Sequence, residues 1–457
     1  MHKMTKNLVR KYNIPGPRYT SYPTVPYWDE KHFSSLQWQE TVKRSFDESN
    51  DAEGISVYIH LPFCESLCTF CACHKRITKQ HNVETPYLES VLKEWKMYLQ
   101  LLGKKPVIKE LHLGGGTPTF FSPQNLKNFL EEIFSKATIS ENPEFSFEGH
   151  PNNTTHEHLE TLYNLGFRRV SFGVQDYDLK VQKTINRLQP FENVERVTNW
   201  ARKIGYKSIS HDLVFGLPFQ SWETMKTTME KTNLLHPDRI AFYSYAHVPW
   251  IKGVGQRGFD ENDLPLPEVK RALYENGKSF LEEMGYAEIG MDHFSLPSDD
   301  LYFSLQQKKI HRNFMGYSSS STRLMIGLGM SAISDSWYAF AQNDKTVESY
   351  TQQINEGKLP VFRGHILNEE DLIVRRHILN LMCLLETSWE NKNMQLPEMP
   401  AIIERLKEME YDELIHLEEN KLHVTEKGRA FVRNIAMAFD LRMIRHQPET
   451  RIFSMTI

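Results

Sequence analysis

Cys64-Glu-Ser-Leu-Cys68-Thr-Phe-Cys71-Ala-Cys73 is the stretch around which the rest of the chain can be read. Four of the five cysteines fall within these ten residues, and the fifth, Cys383, lies far away in an apolar run. The spacing Cys-x3-Cys-x2-Cys puts three thiolates on one short curl. Three soft ligands so close together can hold three corners of a [4Fe–4S] cubane and leave the fourth iron without a protein ligand. An iron left open in this way can bind something that reacts. A zinc site is the competing reading, since structural zinc takes four protein ligands and Cys73 or His74 could complete the set. The second ligand pair that usually follows further along is missing.

Working outward, Ile55-Ser-Val57-Tyr58-Ile59-His60 alternates as a strand does and runs straight into the cysteines. A helical pattern follows over 82–102, where Tyr87, Leu88, Val91, Leu92 and Trp95 recur at three- and four-residue spacing. The unit then repeats. Glu110–Leu113 is a strand ending in Gly114-Gly115-Gly116-Thr117-Pro118, and Ser122-Pro123 opens the next helix as N-cap and first helical residue. Phe145–Glu148, Arg169–Gln175, Ser208–Phe215 and Arg239–His247 are further strands, with helical spacing between them. Strand, special loop and helix repeated six times predict an α/β fold, a partial (β/α)6 barrel. The unusual residues cluster where such barrels place their chemistry, at the C-terminal ends of strands. The cysteines follow the first strand and Gly114–Thr117 the second. Glu148, Gln175, Asp212 and Ala246-His247 mark the next four.

Four consecutive segments are expected: an N-terminal arm (1–50), the barrel (51–265), a barrel extension with substrate-site segments (266–364), and a mostly helical, winged-helix-like C-terminal domain (365–457). Gly16-Pro-Arg18-Tyr19-Thr-Ser-Tyr22-Pro23 in the arm should be extended and not helical, because prolines fix φ and disfavour helix in the preceding residue. It either straps apolar core or carries Arg18 over a site. The 457 residues suffice for a barrel-sized domain and smaller units. A net charge of −4 gives no reason to expect nucleic acid. No apolar run is long enough to span a membrane, and the start of the chain shows no secretory signal, so a reducing cytoplasm is expected.

Gly114–Thr117 lacks a Walker lysine and the GxGxxG spacing, so it is not read as a nucleotide-phosphate loop; it is either a tight turn or bare backbone that meets an amino acid's charged groups. Glu148 and Asp212 are acids at the ends of apolar strands, suited to an amino group and to ribose hydroxyls, because burying them unpaired is costly. His311-Arg312 and Arg18 are cationic points that suit an anionic substrate. Met315 and Phe70 have packing as their alternative role.

These motifs together resemble the radical S-adenosylmethionine superfamily, and within it the oxygen-independent coproporphyrinogen III oxidase family. The segments that carry the likeness run along almost the whole chain: Gly16–Pro23, Tyr58–Cys64, Cys71-Ala-Cys73, Gly114–Thr119, Gly173–Asp176, Tyr245–Pro249, His311–Phe314, Ala332–Ser334 and Val432–Ile435. The resemblance implies that Cys64, Cys68 and Cys71 ligate a [4Fe–4S] cluster, with Cys73 nearby and not a ligand. It implies that Tyr58, Gly115 and Glu148 contact S-adenosylmethionine at the open iron, with Tyr58 and Glu148 as catalytic residues. A second S-adenosylmethionine would map to Phe70, Gly116, Thr117, Gln175, Arg187, Asp212, Ala246 and Ile333.

The chemistry so implied is the formation of a 5′-deoxyadenosyl radical and the oxidative decarboxylation of two propionates of coproporphyrinogen III to vinyl groups. The partners implied are that porphyrinogen and an electron donor such as a flavodoxin or ferredoxin, with the chain a monomer. A haem chaperone of the same superfamily, or a radical enzyme acting on another porphyrin or haem, are the alternatives. Two positions depart from the family's usual pattern: His150 stands where an acid is common, and Met315 where glutamine is common.

Overall fold

The strand-and-helix repeat is built into one of two units into which the chain divides in the computed structural model, which describes residues 3–249, 255–446 and 452–456. The start and end of the sequence reading, at Met1 and in the last residues, therefore lie partly outside the described residues. The first unit joins Asp29–Leu264 to Ser321–Ile366; the second joins Met1–Trp28, Pro265–Ser320 and Leu367–Ile457.

In the first unit β1 (Ile55–Leu61) is buried at every position, as expected of a strand covered on both faces. The parallel series continues through β2 (Val107–Gly115), β3 (Thr138–Gly149), β4 (Arg169–Gln175), β5 (Ser208–Phe215) and β6 (Arg239–Ser244), each paired with the one before. These are the six strands of the expected partial barrel. On the other edge of β1 lies β7 (Met325–Leu328), also parallel to it, followed by the antiparallel β8 (Ile333–Asp335), β9 (Ala339–Asn343) and β10 (Val361–Ile366). Within this unit the strand order is β10-β9-β8-β7-β1-β2-β3-β4-β5-β6. Residues 321–366 extend the sheet because β1 has a second edge to satisfy.

The helices form where apolar spacing and caps agree. α1 (Ser35–Glu53) begins at a capping box of Ser34 and Gln37 and buries Trp38, Val42 and Phe46 on one face. α2 (Glu84–Leu102) buries Tyr87, Leu88, Val91, Trp95, Tyr98 and Leu102. α3 (Pro123–Ser135) is capped by the Ser122 side chain, which accepts from the Asn125 amide. α4 (His156–Asn164), α5 (Leu179–Thr184), α6 (Phe191–Ile204) and α7 (Trp222–Leu235) fill the remaining crossovers. Their apolar faces and the sheet form one core, with Ile59, Leu111, Leu113, Phe147, Val170 and Ile209 near its centre.

The stretch 1–50 is not a single arm. Its latter part is α1, whose apolar face commits it to the sheet, while Lys3–Tyr12 is a helix of the second unit. Between them Gly16–Pro23 is free of helix, as the prolines require. Tyr19 and Tyr22 are buried in the second unit's core beside Val374, Ile378, Ile435 and Phe439. Arg433 donates to the carbonyls of Gly16, Pro17, Met455 and Thr456. Arg18 pairs with Asp292 of the same unit, and Arg312, buried against the Tyr317 ring, donates to the Arg18 carbonyl.

The C-terminal part of this unit places the helix Glu369–Leu384 and the helix Met399–Tyr411 with a small antiparallel sheet in the order Glu386–Ser388, Lys421–Val424, Ile415–Glu418. Among the described residues no helix is long and apolar enough to cross a membrane.

The turn between β7 and β8 is held from below by Glu94 of α2. This fully buried carboxylate accepts from the Gly329 amide (2.8 Å), the Tyr350 hydroxyl (2.6 Å) and the Asn343 amide (2.7 Å). Gly329 has φ +96°, and a Cβ there would come within 2.5 Å of the Tyr87 hydroxyl, so no other residue fits. Glu94→Gln must turn an amide donor toward either the Asn343 amide or the pair Gly329 N–H and Tyr350 O–H. The expected loss is about 1–3 kcal/mol, the cost of a buried donor facing donors. The urea midpoint should fall at unchanged slope; a midpoint equal to that of the parent would contradict the clamp.

Candidate active site

β1 delivers the chain to Phe63-Cys64, and the cysteine loop then returns so that Phe63 and Cys64 pair in parallel with Arg76 and Ile77. The Arg76 amide donates to the Pro62 carbonyl and the Thr78 amide to the Cys64 carbonyl, both at 2.9 Å. Within the loop the Cys71 amide turns back onto the Cys68 carbonyl at 3.2 Å. Neighbouring segments hold the loop by its backbone. The Thr69 amide donates to the Ile185 carbonyl, the Asn186 side chain to the Leu67 carbonyl, and the Gly255 amide to the Cys71 carbonyl. The Gln256 amide donates to the carbonyls of Phe70 (3.2 Å) and Ala246 (2.8 Å). Because backbone carries these contacts, the thiols are left for other work. All five cysteines are free.

A cavity of about 610 Å³ opens above the loop, of the size that holds cofactors. Cys64, Cys68 and Cys71 line it, and so do Phe70, Gly115, Gly116, Thr117, Glu148, Gln175, Arg187, Asp212 and Ala246. The ends of six strands thus converge on one space. Two residues singled out from the sequence, Tyr58 and Ile333, are not among its lining. Tyr58 sits one pleat lower. Its ring stacks on His112 of the neighbouring strand, with centroids 6.1 Å apart, and the His112 Nε2 is 3.5 Å from a Glu148 oxygen. Ile333 lies in β8, paired with Gln342.

The proton positions around Tyr58 follow from its partners. His60 Nε2 lies 2.9 Å from the His74 carbonyl, so it must carry the hydrogen, and burial keeps the ring neutral. His60 Nδ1 is then an acceptor, and the Tyr58 hydroxyl donates to it at 3.0 Å.

The cavity walls hold charge under strain. Burial pushes the Asp212 carboxyl up to about 7, against the Ser171 hydroxyl that donates to it at 2.8 Å. Nearby Glu148 adds to the rise and Arg187 opposes it. Glu148 itself accepts from the Gly115 amide at 3.3 Å. Arg187 donates to the Gly173 carbonyl at 2.6 Å, lies 3.6 Å from the Cys68 sulfur, and among the described residues leaves its Nε without a partner. Gly173 makes room for these groups, because a Cβ there would lie 2.6 Å from Gln175 Nε2 and 2.9 Å from Arg187 Nη2. Burial pushes the Cys64 thiol up to about 11, while the Cys73 thiol, donating to Cys71, keeps its own proton and pulls the Cys71 thiol down.

The donor set fits an iron–sulfur cluster. Among the described residues no three His, Cys, Asp or Glu side chains meet at one point, as a single metal ion demands. Three thiols lining a shared cavity without converging suit a cluster that takes one thiolate per iron. Arg187 adds positive charge that favours the thiolates of Cys64 and Cys71.

The structure adds residues that motif reading passed over. Ser171 shares a strand face with Gly173 and Gln175, so the two-residue period could have exposed it. Gln256, which pins both Phe70 and Ala246, follows no pattern in the sequence. Arg18 and His311-Arg312 belong to the second unit.

Comparison with known proteins follows the same outline. Residues 58–232 match the model of the radical SAM superfamily. The oxygen-independent coproporphyrinogen III oxidase of Helicobacter pylori strain J99 is 38% identical over 441 residues, covering 94% of this chain and 95% of that protein. The protein of the same name from Escherichia coli K12 is 35% identical over 455 residues, covering 98% of each. The solved structure of the Escherichia coli coproporphyrinogen III oxidase, described as a radical SAM enzyme, superposes with a TM-score of 0.87 at 33% identity, covering 93% of this chain and 97% of that one.

The Asp212 carboxyl gives a pH prediction. Its titration point is raised to about 7, so the group is mostly protonated below that pH and ionised above it. A ligand that donates hydroxyl or amino hydrogens to it binds the ionised form better, so affinity rises with pH. S-adenosylmethionine binding to the cluster-loaded protein, measured by calorimetry, should tighten about tenfold between pH 6 and pH 8. Asp212→Asn should bind weakly with no such slope. A flat profile in the parent protein would remove Asp212 from the binding surface.

Proposed function

Because this chain belongs to the oxygen-independent coproporphyrinogen III oxidase family, we propose that it converts coproporphyrinogen III to protoporphyrinogen IX. Two propionate side chains become vinyl groups, each with loss of CO2, one hydrogen atom and one electron, and no oxygen is consumed. The observation that carries the reading is the single cavity in which three cysteines meet glycines, acids, an amide and a guanidinium from six strand ends. A full-length likeness to named oxidases supports it.

The enzyme's cofactors are a [4Fe–4S] cluster and S-adenosylmethionine. Cys64, Cys68 and Cys71 are the ligands we assign to the cluster. When bound, the two cofactors together supply a one-electron C–S cleavage and hence a radical strong enough to take a propionate hydrogen. The chain's own residues bind and orient. Glu148, fixed by the Gly115 amide and by His112, offers a carboxylate to an amino group. Asp212, fixed by Ser171, offers one to hydroxyls. Tyr58 acts from beneath by holding His112 against Glu148.

A second S-adenosylmethionine would use the Phe70, Gly116, Thr117, Gln175, Arg187, Asp212 and Ala246 part of the wall. For Ile333, which lies in β8 outside that wall, the support is the family pattern alone. Phe70, held through its carbonyl by Gln256, helps keep water out. The electron comes from a small carrier such as a flavodoxin or ferredoxin, and the enzyme works as a monomer in the reducing cytoplasm, where five free cysteines are stable.

The test is anaerobic reconstitution with iron and sulfide, followed by dithionite, S-adenosylmethionine and coproporphyrinogen III. Both 5′-deoxyadenosine and vinyl product are expected. No 5′-deoxyadenosine would end the radical reading; 5′-deoxyadenosine without vinyl product would keep the chemistry and discard the substrate. Cys68→Ser should lose the brown absorption of the reconstituted protein together with turnover. If colour and activity survived, the ligand assignment would be wrong.

A further inference from the structure

One cavity-lining side chain has no part in the reading above. His150 follows β3 and lines the cavity wall with Arg187 and Leu188. Its backbone is tightly held: its amide donates to Thr119 Oγ1, and its carbonyl accepts from the amides of Asn153 and Thr154. The ring's orientation is set by the Asn152 amide, which donates to Nδ1 at 3.1 Å.

A nitrogen that accepts from a backbone N–H carries no hydrogen, so in the neutral ring the hydrogen sits on Nε2. Burial and the positive charge of Arg187 hold the ring far below the usual histidine range, which keeps it neutral. Among the described residues Nε2 makes no hydrogen bond, and the half-buried His150 is part of the cavity lining. Arg187 is the charged side chain whose field, after burial, acts on this ring. Beside them Leu188 is 56% exposed, an apolar surface at the same wall. A neutral N–H donor, a guanidinium and an apolar side chain on one cavity wall are what an alkyl carboxylate requires.

We propose that His150 and Arg187 form a carboxylate subsite in this cavity. The carboxylate comes from a propionate of the porphyrinogen or from the methionyl end of S-adenosylmethionine. The subsite rests on the reading above for its ligands, and on the His150 geometry for its chemistry.

The experiment compares the cluster-loaded parent protein with His150→Asp, His150→Gln and His150→Asn, oxidised and without reductant, so that nothing turns over. Two probes are titrated separately: coproporphyrin III, the unreactive aromatic form of the substrate, and S-adenosylmethionine. Gln can place an amide donor where Nε2 now lies, Asn is too short to reach it, and Asp replaces the donor by a like charge.

For the ligand whose carboxylate sits there, affinity should fall about tenfold or more in His150→Asp and clearly in His150→Asn, and stay within about threefold in His150→Gln. Which probe responds identifies the source. If His150→Asp does not fold, the Gln and Asn variants carry the comparison. Variants that bind both probes as the parent does, in a parent that makes vinyl product, overturn the subsite and leave the oxidase reading intact. A parent that neither binds coproporphyrin III nor makes vinyl product overturns the porphyrin reading, and the S-adenosylmethionine titration alone then decides the subsite.

Discussion

The imidazole of His60 accepts from Tyr58 and donates to the carbonyl of His74, and that single donation joins the end of β1 to the far end of the cysteine loop. Around it the same hydrogen bonds recur in a closed network. The Tyr87 hydroxyl donates to the His60 carbonyl and accepts from the Met330 amide. Ser331 meets His74 Nδ1 at 2.6 Å, and Glu94 holds Gly329 just ahead of it. The start of the loop, its end and the β7–β8 turn are therefore one buried polar assembly. Such networks fix geometry well when every member is satisfied, because any displacement leaves a buried group unpaired. Much of the restraint on the loop is applied to its backbone and to residues behind it, while Thr117 and Arg187 reach the sulfurs of Cys64 and Cys68.

How much of this was legible depends on the range of the interactions. The cysteine spacing, the two-residue alternation and the residues at strand ends are local; they predicted the parallel series, and residues they marked line one cavity. Tyr58 shows where local pattern stops. Alternation says which face of β1 it occupies, but not how deep in the barrel that position lies; its cross-strand partner is His112, whose own partner is Ser146, two residues short of Glu148. The division into units was out of reach for a different reason. Arg433 binds carbonyls of Gly16 and Pro17 across more than 400 positions of sequence, and nothing periodic announces such contacts. β7 to β10 are three to six residues long, too short to signal themselves against small-residue turns.

The cavity gathers several groups that are energetically unsettled, and that is a physical sign of its role. Asp212 is half-buried and accepts from one hydroxyl among the described residues, Arg187 Nε has no partner among them, and Gln175 holds φ +68°, a left-handed conformation rarely taken by a residue with a side chain. A fold selected for stability alone would place apolar or small neutral residues at these strand ends. Elsewhere in the same unit the buried acid Glu94 has three donors within 2.8 Å. Burial still raises the Glu94 carboxyl to about 7, as it does that of Asp212, so the two acids differ in their number of donors and not in the direction of their shift. Asp212, with one donor where Glu94 has three, shares its cavity with thiols and a guanidinium, where a bound ligand can complete its hydrogen bonding.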